Sequence, residues 1–197
     1  MPSPVDLIDL DYAQVHLGQS NLSVEDQRRL ENMITGASFA IEGFCQNALM
    51  QRTFTEVYAR PTGEYMRLRK YPIVAVTSIT DPALNTVPAA DYLIIARTGS
   101  LRHLGYWPVP QNTAGLMAEW TVVYTAGRFA TLVDVTDDLK LACVLLVSHR
   151  LIHVTPGVAS KTAGELSVSY RDPESGDRSG LPADVQGLVW PYVSRAA

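Results

Sequence analysis

Two cysteines in 197 residues, Cys45 and Cys143, are too few for a disulfide framework, and each falls in a predicted helix, where a buried reduced thiol is expected. Long apolar runs are missing too. The best uncharged apolar run, Leu141 to Ser148, is far short of the ~18 residues that span a bilayer. The opening Met1-Pro2-Ser3-Pro4-Val5-Asp6 lacks a basic n-region, and Asp6, Asp9 and Asp11 interrupt its apolar residues, so no signal peptide is read and synthesis in a cytosol is expected, with no membrane partner. Glycine and proline, 13 and 12 residues, stay near ordinary usage, which excludes collagen-like and low-complexity chains. No G-x-S-x-G elbow, G-x-G-x-x-G turn or C-x-x-C pair occurs. Gly157 to Thr162 has the wrong spacing for a phosphate loop and follows a predicted helix rather than a strand.

A surplus of positive charge is also absent. The net charge is -4, against the basic balance usual in proteins that grip phosphate backbones. What remains is a chain 47% hydrophobic and 18% charged, with a mean hydropathy of +0.03, long enough for a core of its own and apolar enough to suggest surface meant for a partner. The charge is unevenly placed. Residues 1–50 carry two basic and seven acidic side chains, 51–133 eight and five, and 134–197 six and eight. Zones of opposite sign can stack on unlike zones of a second copy.

Periodicity divides the chain the same way. A short helix is predicted from about Asp11 to Leu17, capped by Asp9 or Asp11 and stopped at Gly18. Ser23 caps a stronger one, with Leu30, Ile34, Ala37, Ile41 and Phe44 on one face, ending near Asn47. From Gln51 to Arg128 the period is two, with strands at 53–58, 65–70, 74–79, 92–95 and 120–124 separated by turns at 60–63, 81–85, 97–100 and 107–110. Short strands without intervening helices predict an antiparallel module. Thr136 caps a further helix, whose stripe is Leu139, Ala142, Cys143, Leu146, Val147 and Leu151 and whose end is at Pro156-Gly157. Residues 158–180 form a polar arm with one strand, Leu166 to Tyr170, and 181–190 a short apolar helix before Pro191-Tyr192. The fold class is therefore α+β: a small α-helical bundle (1–50 and 134–157), an inserted antiparallel β module (51–133) and an extended C-terminal arm with its helix (158–197), together one subunit.

Candidate chemistry is thin. His149 and His153 have the i, i+4 spacing of a shared metal, but Arg150 stands where a zinc protease has Glu and no third ligand is near, so a structural role is preferred. Arg67 and Arg69 are placed on one face of a strand, with Lys70 pointing away. With Arg97 and Arg102 they form the basic cluster that a DNA-binding accessory would use. No metal, cofactor or catalytic residue is assigned.

The order of the blocks carries more. Asp6 to Leu17, the Ser23-capped helix ending Ile41-Glu42-Gly43-Phe44-Cys45, Thr53-Phe54-Thr55, Leu68 to Ile79, Ala90-Asp91-Tyr92, Gly105-Tyr106-Trp107-Pro108, Val122 to Gly127, the helix Leu139 to Arg150 and the closing Leu181 to Tyr192 together resemble the head-to-tail connector (adaptor) family of tailed phages, including relatives in prophages and gene transfer agents. The resemblance implies a non-enzymatic virion neck protein, made in the bacterial host cytoplasm. It implies a ring beneath the portal protein, normally twelvefold, that lengthens the DNA channel and presents a platform to the next neck or tail protein. DNA would pass through the lumen without specific binding, which the acidic balance suits. The portal contact is expected at Leu181, Leu188, Trp190 and Tyr192. Contact with neighbouring copies is expected at Arg67, Arg69, Leu166, Val168 and Tyr170. The alternative function is a DNA-binding accessory of genome packaging.

Overall fold

The structure is a computed structural model that describes residues 3–58, 63–105, 107, 119–152, 160–163, 166–169 and 180–194. Two compact units emerge, one built from residues 1–45 and 135–197, the other from 46–134.

In the first unit, helix α1 (Leu10–Leu17) begins where the Asp9 carboxylate accepts the Tyr12 N–H and ends at Gly18 in the left-handed conformation. Helix α2 (Val24–Cys45) starts with Ser23, whose hydroxyl accepts the Asp26 N–H at 3.1 Å. Its buried positions are Leu30, Ile34, Ala37, Ser38, Ile41, Glu42 and Cys45. Cys45 takes the place expected for Phe44, which stays half-buried in the last turn. Helix α3 (Asp137–Ile152) buries Leu139, Ala142, Cys143, Leu146 and Val147, with Leu151 half-buried. Small side chains at Ala37, Ser38, Ala142 and Cys143, all fully buried, suit two helices packed this closely, and the Ser38 hydroxyl lies 3.7 Å from the Cys143 thiol while accepting the Leu7 N–H. Helix α4 (Ala183–Val189) packs on α3 through Val185 and Val189, and a single 3-10 turn, Trp190–Tyr192, follows. Pro156 and Gly157, expected to end α3, lie outside the described residues.

The second unit holds two three-stranded antiparallel sheets. In the first, β6 (Trp120–Ala126) runs between β1 (Arg52–Tyr58) and β3 (Ile73–Thr80). Along β6 every second residue is buried, Trp120, Val122, Tyr124 and Ala126. In the other, β5 (Ser100–His103) runs between β2 (Tyr65–Arg67) and β4 (Tyr92–Ile95). Met66, Tyr92 and Leu101 from this sheet join Ile79, Trp120, Val122 and Tyr124 from the first in one core, with Trp107 and Trp120 edge-on at 5.4 Å.

Two elements differ from the sequence reading. Periodicity places only a turn at the first residue of β5 and nothing beyond it, because Ser100-Leu101-Arg102-His103 shows a single apolar residue. The arm holds two strands rather than one: β7 (Ser160–Ala163) pairs with β8 (Leu166–Ser169) in an antiparallel sheet of their own. The predicted turn residues 60–62 and 108–110 lie outside the described residues.

Candidate functional site

Glu56 organises the basic end of the β module. It sits on β1 between Phe54 and Tyr58, on the side that packs against the core. The hydroxyl of Tyr58 donates to its Oε2, that of Tyr124 to its Oε1 at 2.5 Å, and the Arg69 N–H to Oε2 at 3.0 Å. Burial raises both phenol pKa values, and the Glu56 carboxylate raises them further, since a phenolate beside it would meet a like charge and lose a hydrogen bond.

This cluster sets where the strand carrying the arginines ends. Strand β2 ends at Arg67; the Leu68 N–H still reaches the Gly99 carbonyl at 2.7 Å, but the next two amides turn away, Arg69 to Glu56 and Lys70 to the Tyr124 hydroxyl. Arg67 and Arg69 are both exposed on either side of the buried Leu68, as the alternation predicts, although the regular strand ends at Arg67 rather than at Lys70. Arg97 lies on an exposed turn, and Arg102 is held by Glu64 at 3.1 Å beside the Tyr65 ring.

The C-terminal segment divides by burial. Leu181 is 6% exposed and sits in the core of its unit; Leu188 is half-buried; Tyr192 is half-buried, with its hydroxyl 2.6 Å from that of Thr136. Trp190 is 58% exposed. His149 Nε2 lies 3.1 Å from the Asp184 carboxylate, tying α3 to α4. Burial alone would raise the Asp184 pKa, but the His149 contact and the Val185 N–H outweigh it and hold the carboxyl below its ordinary value. His153 lies outside the described residues, and among the described residues no group of three potential ligands could hold a metal. No helix among them is long and apolar enough to cross a membrane.

The contact residues expected on the arm fall partly within reach. Leu166 and Val168 are on β8, across from Ala163 and Lys161. Tyr170 lies outside the described residues. Sequence reasoning does not single out Glu56, a lone carboxylate in a strand; its only signal is an acidic residue at the inward phase of the Phe54-Glu56-Tyr58 alternation.

The sequence matches the family described as Head completion protein over residues 8–192. The chain belongs to that family. Among solved structures, this head completion protein is similar to a chain in the neck of an empty GTA particle computed with C6 symmetry, at 19% identity and a TM-score of 0.68, covering 95% of this chain and 90% of that one. A chain from the virion of a native gene transfer agent particle gives 22% identity and a TM-score of 0.67, with the same coverage. A chain in the neck of a native GTA particle computed with C12 symmetry gives 20% and 0.62, covering 95% and 91%. At these identities the likeness is one of fold. No curated protein matches the sequence. The connector resemblance drawn from the order of short blocks is borne out along almost the whole chain.

Proposed function

We propose that this head completion protein is a structural component of the neck of a phage-like particle, in which residues 1–197 act as one connector subunit. Copies assemble as a ring beneath the portal protein, lengthen the DNA channel, and join the filled head to the next neck or tail protein. The observation that carries the reading is the family match across residues 8–192, on a fold similar over 95% of the chain to proteins from particle necks. The ring contact is head-to-tail, one face of a subunit against a different face of the next, closed by rotation. Arg67 and Arg69, exposed on the net-basic module, face the acidic N-terminal zone of a neighbour in this arrangement, and the arm carrying Leu166, Val168 and Tyr170 reaches that neighbour.

The portal contact is assigned to the C-terminal segment. Trp190 and Leu188 offer the apolar surface, while Leu181 in the core and Tyr192 on Thr136 hold the segment in place. The role is architectural rather than catalytic. DNA passes without being gripped: the net charge is -4 and Arg102 is already paired with Glu64.

The test is reconstitution with portal, imaged by electron microscopy. Rings stacked on portal are expected. A protein that stays apart from portal, yet binds duplex DNA with a steep salt dependence, would replace this reading with the packaging accessory. For the docking segment, Trp190→Ala with Leu188→Ala should leave the fold intact and abolish portal binding; undiminished binding refutes that assignment.

A further inference from the structure

Among the described residues, the two sheets of the β module have four edge strands, and three are protected against further pairing. Strand β1 carries Arg52 and Glu56, β2 carries Arg67, and the register of β3 is broken by two irregularities. Charge and bulges are the usual means of keeping an edge from recruiting another strand. Strand β4, Tyr92-Leu93-Ile94-Ile95, has neither: it is uncharged, pairs with β5 in unbroken register, and lies at the end of its sheet.

Its side chains are unusual for a free edge. Leu93, Ile94 and Ile95 are 51%, 42% and 37% exposed. Because successive residues of a strand point to opposite faces, apolar surface is bare on both sides of β4. Its backbone is poised as well. The Leu104 N–H donates to the Asp91 carbonyl at 2.8 Å, which fixes the phase of the antiparallel ladder: Leu93 and Ile95 direct their amides and carbonyls to β5, and Tyr92 and Ile94 direct theirs to the open edge.

The same chain contains a complementary deficiency. Among the described residues, strands β7 and β8 form a sheet of only two strands, and a lone hairpin is marginally stable in water until a third strand or a packed face is added. Its second strand has the alternation Leu166-Ser167-Val168-Ser169.

We infer that the β7–β8 hairpin of one copy adds to the β4 edge of the next copy, continuing the β2-β5-β4 sheet across the subunit boundary. The occupant is a second copy of this chain: among the described residues the hairpin has no third strand and the β4 edge no neighbour, and both belong to the same sequence. Their use is heterologous, donor on one copy and acceptor on the next, as ring closure requires. The inference rests on the ring reading above and names one of its contacts.

Two full-length variants test it. Ile94→Pro removes one outward N–H while leaving the β4 bonds to β5, a substitution that sheet edges tolerate. The second variant replaces residues 158–180 with a glycine-serine sequence of equal length, which erases the hairpin and keeps the spacing between α3 and α4. Each alone should remain a folded monomer at concentrations at least ~10-fold above those at which the natural chain forms rings, on portal or free. Mixed, they retain one sound contact, the hairpin of the Ile94→Pro chain on the unaltered β4 edge of the hairpin-less chain, and should yield a 1:1 dimer that grows no further, read by sedimentation or mass photometry. Rings from the Ile94→Pro chain beside rings from the natural chain overturn the inference and leave the ring reading standing, as does a mixture that stays monomeric. A natural chain that never assembles, alone or on portal, overturns both. If Ile94→Pro fails to fold, Ile94→Lys protects the same edge by charge and is read in the same way.

Discussion

Removing the Glu56 carboxylate should destabilise the β module more than any other single change at its half-exposed polar positions. Three donors converge on it: the hydroxyls of Tyr58 and Tyr124 and the Arg69 N–H. Tyr124 is fully buried, so its hydroxyl cannot turn to water when the acceptor goes. Hydrogen bonds to a charged group contribute ~1.5–3 kcal/mol each, less where solvent competes. With one of the three well buried, Glu56→Ala should cost about 3 kcal/mol. Glu56→Gln keeps one acceptor oxygen but turns an NH2 toward a donor, and should cost about 1.5 kcal/mol. Tyr124→Phe loses one bond to Glu56 and the acceptor for the Lys70 N–H, again about 1.5 kcal/mol. For a chain of this size 1 kcal/mol moves Tm by roughly 2–4 °C, so Glu56→Ala should melt about 6–12 °C lower by calorimetry. The double variant should show a coupling of about 1 kcal/mol, since both changes delete one shared bond. A titration of phenolate absorbance gives an independent reading: the late-ionising tyrosines should ionise at lower pH in Glu56→Ala, because part of their upward shift comes from that carboxylate. Additive effects, or a Tm within about 2 °C of the natural chain, would refute the account of Glu56 as a shared acceptor.

Other outcomes follow from single positions. Gly127 has φ of +142°, and a Cβ there would stand 2.5 Å from the Gln51 backbone; Gly127→Ala should cost at least ~3 kcal/mol, seen as loss of the cooperative denaturant transition at a midpoint near the natural one. Burial raises the Asp6 pKa, against opposing bonds from Thr35 and the Ser3 N–H. A raised folded pKa favours the neutral form, so its contribution is present below the ordinary value of 3.8 and is lost as pH rises through the folded value. Asp6→Asn should therefore melt higher at neutral pH and no higher below pH 3.8. The Cys143 thiol is pushed up to about 12, by burial first and by the nearby Asp6 charge, and Cys45 is fully buried. Neither should react with a thiol reagent at neutral pH until the chain is unfolded, when both should titrate; prompt labelling of the native protein would contradict the packing of α2 on α3.

Local chemistry was enough to read the helices and most strands. Asp9, Ser23 and Gly18 mark helix ends because caps act within one turn, and the stripes on α2 and α3 are legible because each helix buries one face. Strand β6 shows itself by β-branched and aromatic residues in alternation. The order of such blocks was sufficient to place the chain among head-to-tail connectors. What depended on distant partners was not legible. Ser100–His103 becomes the central strand of a sheet because β2 and β4 flank it, not because of its own apolar content. Strand β2 stops short of Lys70 because a carboxylate 13 positions before Arg69 takes the Arg69 amide and the Tyr124 hydroxyl takes that of Lys70. Leu181 and Trp190 look alike in an apolar tail, and only the packing of α4 on α3 buries one and leaves the other exposed. The sequence by itself determined the helices, most strands, their order and the family, since these rest on periodicity and short-range capping. Tertiary structure alone decided which edges stay open and which charges are already satisfied, because pairing and burial are set by residues far apart in the chain.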